Sequence, residues 1–320
     1  MNEAPGIEIA TLPIVPRRVR RGSRRPLRRR GGVRVISRVE ALLFMAPALL
    51  LSAALVLYPL LNGVRLAFTN SSPLSRRTRY VGFDNFVRLL TDDGFWTAVF
   101  NSIGLVVVSV GLAVVIGYLI ALLCDAMVRG VTVFRTAVFL VWVVPWISVA
   151  ILWGWLFDAN YGLINAILQN LGLIAAPVNF LAGAWLARMM LVIAYVWRMT
   201  PFMMIVSVAA LRGVPREIRE AANIDGASYW QTQFSIVLPL VRPTLAIVAV
   251  LDVIRLMQEM TLPWVLTKGG PVNATEVLSL YTYKLAFQRW DFGLASASGV
   301  LWLLLVAAFA GVATRWMARR

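Results

Sequence analysis

Histidine is absent from the sequence, and cysteine occurs once, at Cys124. Without histidine there is no imidazole general base and no two-histidine zinc site. One cysteine excludes an intrachain disulfide. Cys124 itself lies in an apolar run and reads as a small membrane-helix residue rather than a nucleophile. No G-x-x-x-x-G-K-[ST] stretch occurs. That loop cradles nucleotide phosphates with its backbone N–H groups, so the chain does not hold ATP in that way. Charge is also scarce, at 14% of residues, where soluble domains carry about a quarter. The carboxylates do not cluster into a site, and a nucleophile–base or metal constellation for enzyme chemistry is missing.

What is present is hydrocarbon. The chain is 60% hydrophobic over 320 residues, with a mean hydropathy of +0.76. A membrane helix needs about 20 mostly apolar residues to cross a core of ~30 Å. Six segments qualify, at about 41–61, 98–123, 131–157, 184–211, 245–266 and 292–314. The expected fold class is therefore all-α, a polytopic membrane protein of six spans.

The formal net charge of +16 raises nucleic acid as a partner, but the distribution argues against it. Eleven of the 31 Lys+Arg fall between Arg17 and Arg38, and the aromatics sit in the oily runs. Residues 1–38 read as a disordered, lipid-facing basic tail. Its "SRRPLRRR" (Ser23–Arg30) has a twin-arginine look, but the following apolar run is too long for a signal peptide and five spans follow. With the N-terminus inside, inner segments hold 11, 2, 4 and 3 basic residues, 20 in all, against 8 outside and 3 within spans. The positive-inside rule then places both termini in the cytoplasm. Outside, Tyr161–Leu171 puts Leu163, Ile164, Ile167, Leu168 and Leu171 on one helical face, suited to the membrane surface. The sixth span opens with small-xxx-small pairs, Gly293 with Ala297 and Ala295 with Gly299, which read as helix packing.

One inner loop, 212–243, is polar and well punctuated. Pro215 and Glu217 suit a helix start. Ile218, Ala221 and Ala222 share a face at spacings of three and four. Gly226 can take the backbone angles that end a helix, and Asp225 can cap the next one. Tyr229, Trp230, Phe234, Ile236, Val237 and Leu238 form a second amphipathic segment, which Pro239 and Pro243 are expected to stop before the fifth span.

Glu220-Ala221-Ala222, Gly226, Ile236 and Leu238-Pro239 in this order and spacing resemble the EAA loop of ABC-transporter permeases from binding-protein-dependent importers. The resemblance extends over about residues 40–320. "VPWISVAILWGWLFDANYGLIN" (Val144–Asn165), "VWRMTPFMM" (Val196–Met204), "LTKGGPVNATEVLSLYTYKLAF" (Leu266–Phe287) and "FGLASA" (Phe292–Ala297) are similar to carbohydrate-type permeases of the maltose and glycerol-phosphate kind. Where relatives often carry a Phe-Asp pair, this chain has Gln258-Glu259-Met260. The resemblance implies a type I importer permease in a bacterial inner membrane. It implies a coupling helix in which Glu220, Ala221, Ala222, Asp225 and Gly226 dock on an ATP-binding subunit. It further implies two copies of that subunit, which hold the ATP and Mg2+, a second permease chain, and an extracytoplasmic solute-binding protein. The solute is expected to be a sugar or sugar-like compound, with glycerol phosphate as the alternative. A secondary transporter would need an ion-coupling site or inverted repeats, and neither is seen.

Charges inside spans are costly and tend to face a cavity or a partner. Asp252, Arg255 and Glu259 fall at i, i+3 and i+7 of the fifth span, one face of a helix. With Gln258 they are expected either to line the solute path or, as an Asp252–Arg255 pair, to lock packing. Trp153 and Trp264 are candidate sugar platforms, though tryptophan is also at home at membrane interfaces. Arg198 precedes Thr200-Pro201, where a proline frees a backbone carbonyl and suits either a gate or a structural kink.

Overall fold

The computed structural model of the protein describes residues 38–318 apart from Arg76 and Val128. The expected basic tail, Arg38 excepted, lies outside the described residues. The chain divides into two units, 1–55 and 56–320. In the first, Arg38–Ser52 forms helix α1, and Glu40 lies in its first turn. A π-turn, Ala53–Leu57, leads into α2 (Tyr58–Leu66).

In the second unit, α3 (Asp84–Leu90) precedes α4 (Asp93–Ala126). Asp92 caps α4: its carboxylate accepts the Gly94 N–H at 2.6 Å and the Phe95 N–H at 3.4 Å, and its charge meets the positive end of the helix. The Tyr281 hydroxyl donates to the other Asp92 oxygen at 2.9 Å. Burial, then this bond to a carboxylate, pushes the phenol well above its ordinary value and keeps it a donor.

The segment expected as one span over 131–157 is broken. Helices α5 (Val131–Val143) and α6 (Trp146–Leu156) meet at 97°. Pro145 has no N–H to give the ladder, and it pushes Val144 into extended backbone, with ψ 127°. Next come α7 (Leu163–Asn170), within the expected surface helix, and α8 (Ala184–Arg212), with Pro201 inside it. They are followed by α9 (Arg216–Ile224), α10 (Tyr229–Gln231), a π-turn Thr232–Val237 and α11 (Leu238–Gln258).

Pro239 and Pro243 do not stop the chain as expected. Tyr229–Gln258 runs as one 30-residue helix. The π-turn ends just before Pro239, so the proline that cannot donate falls where the hydrogen-bond register is already changing. The fifth span accordingly starts earlier than expected and ends at Gln258. Beyond it lie α12 (Thr261–Leu266), α13 (Leu278–Phe287) and α14 (Phe292–Ala318). Among the described residues no strand forms; Thr69 and Tyr80 make an isolated antiparallel bridge. Among the described residues five helices are long and apolar enough to cross a membrane, and six if the bent α5–α6 pair counts as one span.

The central packing is between α4 and α8. Gly117 lets them touch: a Cβ there would stand 2.6 Å from Met203 Cβ and 2.9 Å from the Met204 nitrogen. Gly293 makes a second close approach, its absent Cβ aimed at the Thr69 carbonyl, while Gly299 faces open space. A cluster around Leu122, Val208, Leu211, Val237 and Val241 lies beneath the 212–243 loop, and Ile218 packs onto it.

Candidate coupling face and solute path

The polar loop folds as a helix, a tight turn and a second helix start. Pro215 takes the N-cap position and Glu217 lies in the first turn of α9. Ala222 is buried and Ile218 half-buried against the cluster below, four residues apart. Ala221 is exposed and does not share their face as expected. The turn is a complete Schellman motif. The Ala227 N–H reaches back to the Ala222 carbonyl at 3.0 Å, and the Gly226 N–H to the Asn223 carbonyl at 3.1 Å. Gly226 has φ +78°, which an L side chain adopts only under strain. Asp225 is the C-cap of α9, not the cap of the next helix. That role belongs to Ser228, whose hydroxyl accepts the Gln231 N–H while the Gln231 side chain accepts the Ser228 N–H. The S-x-x-Q spacing of this capping box was present in the sequence as a signal.

The turn presents Glu220, Ala221, Asp225 and Gly226 to the outside together, with Ile224 86% exposed at the tip. Exposed Tyr229, Trp230 and Phe234 continue the surface, Trp230 and Phe234 stacked at 5.6 Å. One side chain ties this face to the bundle. Arg219 makes a 2.6 Å ion pair with Asp125 in the last turn of α4 and donates to the Leu211 carbonyl of α8 at 3.1 Å.

In the fifth span the expected stripe is split. Asp252 is buried, and its Oδ1 lies 3.8 Å from an Arg255 guanidinium nitrogen. Glu259 is not on the same helical face, because α11 ends at Gln258 and Glu259 is extended, with ψ 125°. Its carboxylate instead caps α12, accepting the Thr261 N–H at 2.6 Å and the Leu262 N–H at 3.4 Å. It also accepts the buried Tyr195 hydroxyl at 2.6 Å. Gln258 is exposed as the last residue of α11. Trp153 and Trp264 are half-buried among other rings: Trp153 against Trp197 and Phe157, Trp264 edge-on to Tyr283 at 5.2 Å. Their helices, α6 and α12, pack on each other. Arg198 donates to the Val144 carbonyl at 2.9 Å, satisfying backbone left open by the α5–α6 break, and lies over Trp146 at 4.9 Å.

A third polar group centres on Arg188, one of the three basic residues within the expected spans, with partners that the sequence does not indicate. Arg188, near the start of α8, donates to the Ala274 carbonyl at 2.7 Å and to the Asn101 side chain at 3.2 Å. Asn101 in turn donates to the Asn273 and Glu276 carbonyls at 2.9 and 3.1 Å. Lys284 and Glu276 pair at 2.8 Å. Together these hold the 267–277 loop, in which Lys268, Val272 and Asn273 have positive φ, against α4, α8 and α13.

The model of a protein family described as binding-protein-dependent transport system inner membrane component matches residues 113–320. A probable ABC transporter permease protein of Pyrococcus horikoshii is 33% identical over 270 residues, spanning 82% of this chain and 90% of that protein. The trehalose/maltose transport system permease protein of Thermococcus litoralis is 33% identical over 267 residues, spanning 83% of this chain and 90% of that one. Among solved structures, a bacterial ABC transporter involved in the import of the acidic polysaccharide alginate superposes with a TM-score of 0.75 at 24% identity. The superposition covers 88% of this chain and 96% of that one and concerns the fold.

Proposed function

The chain belongs to the family of binding-protein-dependent transport system inner membrane components, and from that premise we propose that it is the membrane-spanning subunit of an ATP-driven sugar importer. The observation that carries this reading is the bare tip of the 212–243 loop. Its turn is hydrogen-bonded internally, it is anchored to α4 and α8 through Arg219, and it displays two carboxylates, small residues and the apolar Ile224 outward. A surface so ordered and so exposed suits a partner. The partner is a pair of ATP-binding subunits, one of which receives Glu220, Ala221, Asp225 and Gly226, while Ala222, expected on the same surface, is buried and seats α9 on the bundle. ATP and Mg2+ reside in those subunits, and no step of hydrolysis falls to this chain.

Both termini and the loop face the cytoplasm, supported by the excess of Lys and Arg on that side. Opposite them, a second permease chain completes the path and a binding protein delivers solute. A sugar is supported by the trehalose/maltose relative. Asp252, Arg255 and Gln258 belong to the solute path in this reading, whereas Glu259 holds the α11–α12 corner. ATP binding closes the ATPase pair, α9 moves with it, and Arg219 passes the motion to the inner ends of α4 and α8. The spans then switch from inward- to outward-facing.

The test is stoichiometric. The chain purified alone should hydrolyse no ATP, and the assembled complex should show hydrolysis stimulated by the loaded binding protein. Robust solute flux through the lone chain in liposomes would refute the reading.

A further inference from the structure

Two guanidiniums and one carboxylate lie on α8 and α11, inside membrane-span helices of the second unit. Arg198 is the middle residue of α8, about 21 Å from either end at 1.5 Å per residue. Asp252 and Arg255 lie in the last two turns of α11. Among the described residues Asp252 is the one carboxylate in an ion pair with either guanidinium, and its partner is Arg255, so two positive charges stand against one negative. Arg198 is held: it bonds the Val144 carbonyl and lies over two indoles, Trp142 at 5.6 Å and Trp146 at 4.9 Å. Arg255 is not held in that way. Its contact with Asp252 is loose at 3.8 Å, and its side chain is 62% exposed. Beneath it runs an aromatic ladder. Arg255 lies 5.7 Å over Phe202, which stacks on Trp142 at 5.3 Å, which stacks on Phe139 at 5.3 Å.

A guanidinium at the centre of a span costs roughly 2.5–3.5 kcal/mol on insertion scales, and arginines inside spans face a cavity or an opposite charge. A guanidinium also presents a planar fork of donors that matches a carboxylate or phosphate. Exposed Gln258, one turn further out, adds a hydrogen-bonding group for hydroxyls.

We propose that the solute carried by this path is an anionic saccharide, bearing a carboxylate or a phosphate, and that Arg255 receives its charge. This rests on the importer reading above and narrows its solute. In that arrangement the anion meets Arg255, while Asp252 keeps the guanidinium from binding it too tightly to release.

The experiment uses host cells deleted for this chain and complemented with wild type, Arg255→Gln or Arg255→Lys. Uptake is measured for three labelled probes: trehalose, a uronate-containing disaccharide and a hexose phosphate. Co-purification of the ATP-binding subunit reports assembly of each variant. The expected result is uptake of at least one anionic probe in preference to trehalose. Arg255→Gln should lower that uptake by roughly tenfold, the worth of one charge-assisted hydrogen bond, and Arg255→Lys should recover part of it, with assembly equal in all three. Uptake of trehalose alone, or anionic uptake that Arg255→Gln leaves unchanged, would overturn the anionic assignment and leave the importer standing. Uptake of no probe by a complex whose ATPase still answers to a binding protein would overturn the saccharide reading and this one together. Loss of assembly in Arg255→Gln but not in Arg255→Lys would overturn it in favour of a packing role for the charge.

Discussion

The Arg219 guanidinium stands 2.6 Å from the Asp125 carboxylate, 94 residues away in sequence. Through its second nitrogen the same side chain reaches the Leu211 carbonyl at 3.1 Å. One residue of α9 thus joins the C-terminal ends of α4 and α8, the two helices with the most extensive mutual packing. The pair is partly exposed, at 26% and 30%, so its contribution to stability is small, about 1 kcal/mol or less. Its value lies in direction, because it gives α9 a stiff link to the bundle. Arg219→Ala and Asp125→Asn should each cut solute uptake severalfold while ATP hydrolysis persists. The double variant should be no worse than either single one, which is the mark of a shared interaction. Uptake and ATPase measured on the same proteoliposomes check this.

Gly226 is constrained by its backbone and not by space. No atom would lie within 4 Å of an added Cβ, yet φ is +78°. Gly226→Val should therefore destabilise the turn by about 1–3 kcal/mol and lose the ATP-binding subunit on co-purification. Gly226→Asn should keep it, since asparagine tolerates the left-handed region. Equal behaviour of the two variants would remove the turn from the docking argument.

Gly117 reverses that logic. A Cβ there meets Met203 and the Met204 backbone within 3 Å, whereas Gly111 on the same helix faces open space. Gly117→Ala should cost about 1–3 kcal/mol through overpacking, read as a lower unfolding temperature in detergent. Gly111→Ala should leave that temperature unchanged or slightly raised, as alanine favours helix.

Glu259 should behave as a structural residue. Removing its carboxylate strips two backbone donors of α12 and the Tyr195 hydroxyl of their acceptor. Glu259→Ala should lower thermal stability by several degrees and reduce assembly and uptake in parallel. A selective loss of uptake with full assembly would return Glu259 to the solute path.

These cases also separate what was legible in the sequence from what was not. The 212–243 loop could be read because its signals are local: proline and glutamate at a start, glycine at a stop, and small residues between. Ser228 escaped only because Asp225 competed for the same cap, although the S-x-x-Q spacing was there to read. The prolines were misjudged in both directions. Pro145 breaks a run expected to be continuous, and Pro239 fails to break one, because a π-turn ahead of it changes the hydrogen-bond register. A periodic reading carried Glu259 onto the face of Asp252 and Arg255, although the helix stops one residue short. Arg188 stood out as a charge inside a span, but what it bonds was beyond reach. Its partners, Asn101 and Ala274, lie 87 and 86 residues away and are brought to it by tertiary packing alone.

The most direct measurement is a cross-link at the tip of the loop. Cys124 is the one native cysteine and is buried, so Cys124→Ala gives a clean background. In that background Ala221→Cys, at an exposed position, should form an adduct with the ATP-binding subunit under a short reagent that joins a thiol to a lysine amine, and the yield should change when ATP is added. Thr97→Cys, exposed near the opposite end of α4, should form none. An adduct-free Ala221→Cys in a complex that still imports solute would contradict the coupling face.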